Sequence, residues 1–210
     1  ELTQSLFLDM FGDPVTNPKR WEKIKLGSLH KISSGGTPSR KNPEYYDNGS
    51  IPWVKTGELK GLYANEPKEL ITEEALNNSS AKMFPVDTLL IAMYGATIGA
   101  CSILNFEAAT NQACAALLPS DNINVLFEYY FFNEFKNELI KMGVGGAQPN
   151  ISAGLLKNLN IYYPPLDLQL QFAERVQAIE TQKAKAQESL AKAEDLFNSL
   201  MQKAFKGELT

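Results

Sequence analysis

A loop-forming segment with two adjacent cations is the part of this chain best suited to polar recognition chemistry. Residues 33–43 are dense in Gly, Ser and Pro, and they carry Thr37, Ser39, Arg40 and Lys41. Such a loop offers backbone N–H groups, hydroxyls and positive charge, which are the groups that contact DNA phosphates and base edges. It has neither the spacing of a nucleotide-binding P-loop nor a helical pattern after it. The same composition is equally typical of a plain surface loop.

Catalytic chemistry is poorly represented in the sequence. His30 is the single histidine, so neither a Cys–His couple nor a Cys/His zinc site can be assembled. There is no Gly-x-Ser-x-Gly turn and no Gly-rich cofactor loop. Cys101 and Cys114 lie in apolar, strand-like segments, which favours buried thiols over a disulfide or a metal site. We therefore expect a binding protein without cofactors rather than an enzyme.

The charge of the chain is unevenly distributed. The net charge is −4 over 210 residues, which by itself argues against a nucleic-acid ligand. Residues 19–60, however, carry nine Lys and Arg against four Asp and Glu, a local excess of +5. Local basicity beside an acidic remainder fits a protein that meets phosphate with one face. An ordinary mixed surface accounts for the charge pattern equally well.

Both strands and helices are expected to position these groups. We expect strands at 51–56, 88–94, 98–104, 109–118 and 159–163, with helices starting after Thr72 and spanning 124–142. These elements predict a mixed α+β domain over residues 14–164, preceded by the end of a helix over residues 1–13. No run approaches 18 apolar residues and no signal sequence opens the chain, so we expect a cytoplasmic protein without a membrane span.

The most regular pattern predicts one long helix over residues 165–207. Its inward positions recur in alternating steps of four and three, the spacing that keeps one seam against a partner helix. The seam positions are Phe172, Val176, Ile179, Lys183, Ala186, Leu190, Ala193, Phe197, Leu200 and Ala204. A seam with three alanines and a lysine is weak, so the helix is expected to need a matching partner. It is too long for the core of one domain, at about 60 Å for forty residues.

Taken together, several segments resemble the specificity subunit of type I restriction–modification enzymes. The segments are Trp21-Glu-Lys-Ile-Lys-Leu-Gly27, Ser34-Gly-Gly-Thr-Pro-Ser39, Ile51-Pro-Trp-Val-Lys-Thr-Gly-Glu-Leu59, Gly95-Ala-Thr-Ile-Gly99, Thr110-Asn-Gln-Ala113, Gly146-Ala-Gln-Pro-Asn-Ile-Ser152 and Pro164-Pro-Leu166. Their order and spacing, more than any single segment, carry the likeness, which extends over nearly the whole chain.

The resemblance implies a division of labour. A target-recognition domain reads one half of a split site in double-stranded DNA, and paired antiparallel helices set the gap between the halves. Methyltransferase subunits dock on this scaffold and a restriction/translocase subunit joins them. This chain has one recognition domain and one full helix, so it resembles either a half-subunit that forms a homodimer or half of a longer subunit.

The resemblance also implies that loops and strand ends contact DNA. Besides the loop with Thr37, Ser39, Arg40 and Lys41, five further residues are expected at the interface. They are Lys55 and Thr56 at a strand end, Tyr94 beside a glycine, and Gln148 and Asn150 in a glycine-rich segment. The two cations of the loop would contact phosphate or guanine, and the amides could read adenine. Asn150 is equally typical of a structural turn, and Tyr94 of a packed hairpin.

Two other functional classes stay open at the level of sequence. The chain could be the recognition domain of a stand-alone DNA methyltransferase or nuclease. It could also be a coiled-coil adaptor without DNA specificity, its globular domain being incidental.

Overall fold

The structure is a computed structural model that describes residues 2–143 and 150–206. It contains six α-helices and ten strands within those ranges. The helices are α1 (Leu2–Phe11), α2 (Leu26–Leu29), α3 (Glu73–Asn77), α4 (Val125–Met142), α5 (Ala153–Asn158) and α6 (Leu166–Phe205). The strands are β1 (Lys23–Lys25), β2 (Ile32–Ser34), β3 (Ile51–Val54), β4 (Leu70–Ile71), β5 (Met83–Phe84), β6 (Leu89–Ala92), β7 (Cys101–Ile103), β8 (Ala108–Thr110), β9 (Cys114–Leu117) and β10 (Asn160–Tyr162). The predicted mixed fold with a long C-terminal helix is confirmed.

Three sheets build the domain. An antiparallel sheet has the order β2-β9-β6-β7, a mixed sheet has the order β4-β3-β8-β5, and β1 pairs with β10 in a separate ribbon. Within the mixed sheet β3 and β8 run parallel, with Trp53 opposite Ala109 and Val54 opposite Thr110. Parallel neighbours end at the same edge of a sheet, and this arrangement positions the site described below.

Apolar side chains cover both faces of the antiparallel sheet. Along β6, Leu89 and Ile91 pack with the helices, whereas Leu90 and Ala92 pack toward the mixed sheet. Alternate residues of a strand point to opposite faces, so a strand that is buried on both faces is apolar throughout. All four residues of β6 are buried, as this layered arrangement requires.

The aromatic face of α4 forms the centre of the main core. Asn124 caps the helix by accepting hydrogen bonds from the main-chain N–H groups of Leu126 and Phe127. Phe127, Phe131 and Phe135 are buried, because aromatic residues at helical spacing share one face of the helix and that face packs on the sheet.

The connection after β8 departs from the prediction. A single strand over 109–118 was expected, but the chain leaves the mixed sheet after Thr110 and enters the antiparallel sheet at Cys114. The main-chain N–H of Asn111 donates to the carbonyl of Val54 at 3.1 Å, which completes the β3 pairing before the chain turns. The prediction of one strand is therefore wrong, because a continuous apolar run does not reveal a change of sheet.

The short helix α1 packs against the base of α6. It ends at Gly12, whose φ of +81° is the left-handed conformation typical of a glycine after a helix. The Phe172 ring lies 5.7 Å from the Phe7 ring and 5.3 Å from the Phe11 ring, between centroids. Val176 is also buried in this core. Phe172 and Val176, two of the predicted seam positions, therefore pack on α1 and α4 of the same chain and not on the helix of a partner.

Beyond this base, α6 leaves the domain. Ile179 is half-buried, and all residues of 181–203 and 205–206 are exposed. The exposed seam residues include Lys183, Leu190, Phe197 and Leu200, and the last two expose 62% and 44% of their surface. No helix within the described residues is long and apolar enough to cross a membrane.

Candidate nucleic-acid interface

Four strand ends meet at one side of the domain. Because β3 and β8 are parallel, Lys55 and Asn111 follow their carboxyl ends side by side. Strands β2 and β6 both run antiparallel to β9, so the segments after them lie beside the start of β9. We call this surface the strand-end face. It comprises residues 35–41, 55–58, 94–97 and 111–113, together with Glu69 and Asn150.

Glycines allow the first loop to lie directly on the end of β8. The N–H of Gly36 donates to the carbonyl of Thr110 at 2.9 Å. A Cβ atom at Gly35 would lie 1.9 Å from that same carbonyl oxygen, so only glycine fits. Farther along, Tyr46 donates from its hydroxyl to the carbonyl of Pro38 at 2.6 Å. The loop that carries the candidate cations is therefore held at two points along its length.

A first polar group links three segments of the face. The hydroxyl of Thr37 donates to Oε1 of Gln112, and the hydroxyl of Tyr94 donates to the Gln112 main-chain carbonyl at 2.7 Å. Tyr94 also pairs with Asn150 in an isolated antiparallel bridge. Three predicted interface residues, Thr37, Tyr94 and Asn150, are thus brought together around Gln112.

A second group is charged. Glu69 accepts from Arg40 through one carboxylate oxygen and from the Lys55 ammonium at 2.7 Å through the other. The hydrogen bond from Arg40 is the main cause that lowers the pKa of the Glu69 carboxyl, to about 2. The Arg40 guanidinium lies over the Tyr46 ring, 4.3 Å from its centroid. Two cations and one anion leave this group with a net positive charge.

The other predicted residues are less constrained. Ser39 and Lys41 are exposed, and no described side chain pairs with the Lys41 ammonium. Thr56 is half-buried at the start of a 3-10 turn, Thr56–Glu58. Gln148 lies outside the described residues.

Three residues of this surface are not among those predicted from the sequence. Gln112 joins the first group, and Glu69 joins the second. The Oδ1 atom of Asn111 is buried and accepts no hydrogen bond from the described residues. The Asn-Gln pair within the Thr110-Asn-Gln-Ala113 segment was the available signal. Glu69 had no comparable signal, because it lies 29 residues from Arg40 and 14 residues from Lys55 in the sequence.

The described residues hold no cluster of three His, Cys, Asp or Glu side chains that could bind a metal ion. Burial raises the pKa of the Cys101 and Cys114 thiols to about 12, so both are inert thiols. They are not disulfide-bonded, as the apolar surroundings predicted.

A comparison with known protein families identifies the family of this chain. The profile described as "Type I restriction modification DNA specificity domain" matches residues 18–194, more than four-fifths of the chain. The chain belongs to this family. Family membership confirms the resemblance noted from the sequence, and specificity subunits of this family are non-catalytic DNA-recognition subunits.

Individual specificity subunits are similar over most of this chain. The MjaIX specificity subunit of Methanocaldococcus jannaschii is 31% identical over 161 residues, which are 74% of this chain and 37% of that protein. The EcoR124I/EcoR124II specificity subunit of Escherichia coli is 27% identical over 161 residues, covering 74% of this chain and 40% of that protein. The chain thus matches less than half the length of these specificity subunits.

A solved specificity subunit has the same fold. The HsdS subunit from Thermoanaerobacter tengcongensis superimposes with a TM-score of 0.64 at 24% identity, over 99% of this chain and 51% of that one. The similarity extends along the long helix as well as the domain, because it covers nearly every residue of this chain.

Proposed function

We propose that this chain reads one half of a bipartite double-stranded DNA target for a type I restriction–modification system. One observation carries the proposal. Residues that lie far apart in the sequence, Thr37, Lys55, Tyr94 and Asn150, come together on the strand-end face. Family membership supports the same conclusion.

The chemistry of the strand-end face suits the DNA major groove. That groove presents a different pattern of donors and acceptors for each of the four base pairs, and the minor groove does not. The face combines exposed amides and hydroxyls, which can pair with base edges, with the cations of the first loop and with Lys55, which follows β3. Cations fix the position of the protein on the phosphates, and the polar side chains then read sequence.

The long helix gives the chain its role as a scaffold. The part of α6 from residue 181 onward extends away from the domain. In a single chain its apolar residues are exposed to solvent. They are Leu190, Leu196, Phe197, Leu200, Met201 and Phe205. A second recognition unit, whether a second copy of this chain or another domain, would pair its own helix antiparallel to this one. The two reading faces would then lie at opposite ends, and the helices would set the gap between half-sites.

The remaining partners follow from the family. Methyltransferase subunits would bind the paired helices, and a restriction/translocase subunit would complete the enzyme. The chain itself would contribute neither a cofactor nor catalytic groups. Such a complex acts on cellular DNA, so we place it in the cytoplasm.

Selection from random DNA tests the reading function. The chain would be co-expressed with methyltransferase subunits from the same source, and the complex would be used to enrich duplexes from a random-sequence pool. We expect a short defined motif in the enriched duplexes. A pool that stays random, although the purified complex retains DNA, would contradict sequence reading.

A further inference from the structure

We propose that Arg40 reads a guanine in the major groove, and that Glu69 and Tyr46 are the positioning residues that hold its guanidinium for this task. The inference rests on the proposed function, and it specifies which base one named side chain recognises. It is carried by the contacts of Arg40, which differ in kind from those of its neighbour Lys41.

The loop that carries Arg40 is fixed by two aromatic residues. Tyr46 donates from its hydroxyl to Pro38, at 2.6 Å, and Trp53 donates from its indole N–H to the carbonyl of Gly36, at 3.1 Å. Trp53 is buried, and its ring meets that of Tyr46 edge-on at 6.1 Å. The main chain leading to Arg40 is therefore anchored although it forms no helix or strand.

The rings of Tyr46 and Trp53 also contact the guanidinium of Arg40. The Arg40 Cζ atom lies 4.3 Å from the Tyr46 centroid and 5.1 Å from the Trp53 centroid. One Nη1–H group donates to Glu69, and Lys55 holds the opposite oxygen of that carboxylate. The two rings and the Glu69 carboxylate together restrict where the guanidinium can lie.

A fixed but exposed arginine is suited to base reading. The Arg40 side chain exposes 53% of its surface, and Glu69 is its one described hydrogen-bond acceptor. Its other N–H groups remain free to donate. Guanine presents O6 and N7 side by side, and a planar fork matches both atoms only when its direction is set. A phosphate contact requires charge but no such direction, and the exposed Lys41, whose ammonium pairs with no described side chain, is suited to that role.

Base selectivity of matched variants tests the inference. The random-pool selection would be repeated with complexes carrying Arg40→Lys, Glu69→Ala and, as control, Lys41→Ala. The wild-type motif should contain a G·C pair whose replacement weakens binding roughly 5- to 150-fold. Arg40→Lys keeps the charge but not the fork, so preference at that pair should fall toward none while the other positions persist. Glu69→Ala should reduce the same preference without weakening binding to random DNA, because it also frees the Lys55 charge.

The control and the contrary results are distinct. Lys41→Ala should weaken binding to all sequences alike and leave the motif unchanged. A motif that Arg40→Lys selects unaltered, or a wild-type motif without any G·C pair, would overturn the guanine assignment and leave DNA reading intact. A wild-type complex that enriches no motif would instead reject the proposed function.

Discussion

The hydroxyl of Tyr94 donates a 2.7 Å hydrogen bond to the main-chain carbonyl of Gln112, and this bond joins the loop after β6 to the connection between β8 and β9. On the other side, Thr37 donates to the Gln112 side chain. One residue therefore links the loops that follow three different strands, and its amide nitrogen donates to no acceptor among the described residues.

Replacing Gln112 should separate DNA binding from stability. Gln112→Ala removes an exposed side chain whose described partner is Thr37, so the free energy of unfolding should change by no more than about 0.5 kcal/mol. Affinity for the selected DNA motif should fall about tenfold, which is about 1.4 kcal/mol. Denaturant unfolding and fluorescence anisotropy measure the two quantities. Gln187→Ala, on the exposed part of α6, is the matched control, and equal DNA affinity in both variants would remove Gln112 from the interface.

The exposed ammonium of Lys41 should account for one phosphate contact. Lys41→Ala should reduce the slope of log affinity against log salt by about 1, because one fewer counterion is released. Arg40→Ala combined with Lys41→Ala should weaken binding further, with most of the change in slope coming from Lys41. Titrations at several salt concentrations provide the measurement. Lys23→Ala, on the separate ribbon of β1 and β10, should leave the slope unchanged. An unaltered slope in the double variant would exclude the loop from the interface.

The two parts of α6 should respond differently to the same substitution. Phe172→Ala opens a cavity between α1 and α4, and it should lower the free energy of unfolding by about 3–5 kcal/mol. Phe197→Ala removes an exposed ring, so the stability of the monomer should stay within about 0.5 kcal/mol while self-association or partner binding weakens. Thermal melts of dilute protein and sedimentation velocity distinguish these effects. An equal loss of monomer stability in both variants would show that the distal helix packs on its own domain.

A buried proton-sharing pair predicts a pH dependence of stability. His30 lies between the carbonyl of Leu118, 2.6 Å from Nδ1, and the Glu128 carboxylate, 2.7 Å from Nε2. Burial is the largest single influence and opposes the charged imidazolium, but the hydrogen bond and charge of Glu128 together with the Leu118 carbonyl outweigh it and raise the pKa of His30 above its ordinary 6.5. Burial likewise raises the pKa of Glu128. The folded state binds these protons more tightly than the unfolded chain, so both groups stabilise the fold at low pH. The contribution of Glu128 is fully present below its ordinary pKa of 4.5 and that of His30 below 6.5, and each is lost as the pH rises through the raised value.

The matching variant is Glu128→Gln, which keeps the shape of the side chain but does not titrate. Melting temperatures measured between about pH 6 and pH 9 should decline for the native chain and decline less for the variant. Parallel curves for the two proteins would show that this pair does not govern the alkaline loss of stability.

Local patterns predicted the elements well because their causes are local. The amphipathic spacing over 124–142 predicted α4, and the Thr72 cap predicted α3, where the Thr72 hydroxyl accepts from the main-chain N–H of Ala75. The thiol environments of Cys101 and Cys114 followed from their apolar neighbours in the same way. Such signals operate within a few residues, where spacing and capping are decisive.

The contacts of the candidate site join residues that are far apart in the sequence, so local patterns did not predict them. Lys55 and Asn111 lie side by side only because β3 and β8 pair in parallel, and nothing in either segment specifies the other as its partner. Glu69 pairs with Arg40 across 29 residues of sequence. The packing partner of Phe172 and Val176 could not be predicted either. The four-three spacing of apolar residues is the same whether a helix packs on its own domain or on a partner.

The measurement that tests the account most directly is a map of methylated bases in genomic DNA from cells that express this chain with methyltransferase subunits from the same source. We predict methylation at a two-part motif with a fixed gap, and a palindromic motif if two copies of this chain form the scaffold. Methylation scattered over unrelated sequences by a stable complex would contradict the claim that this chain sets the target.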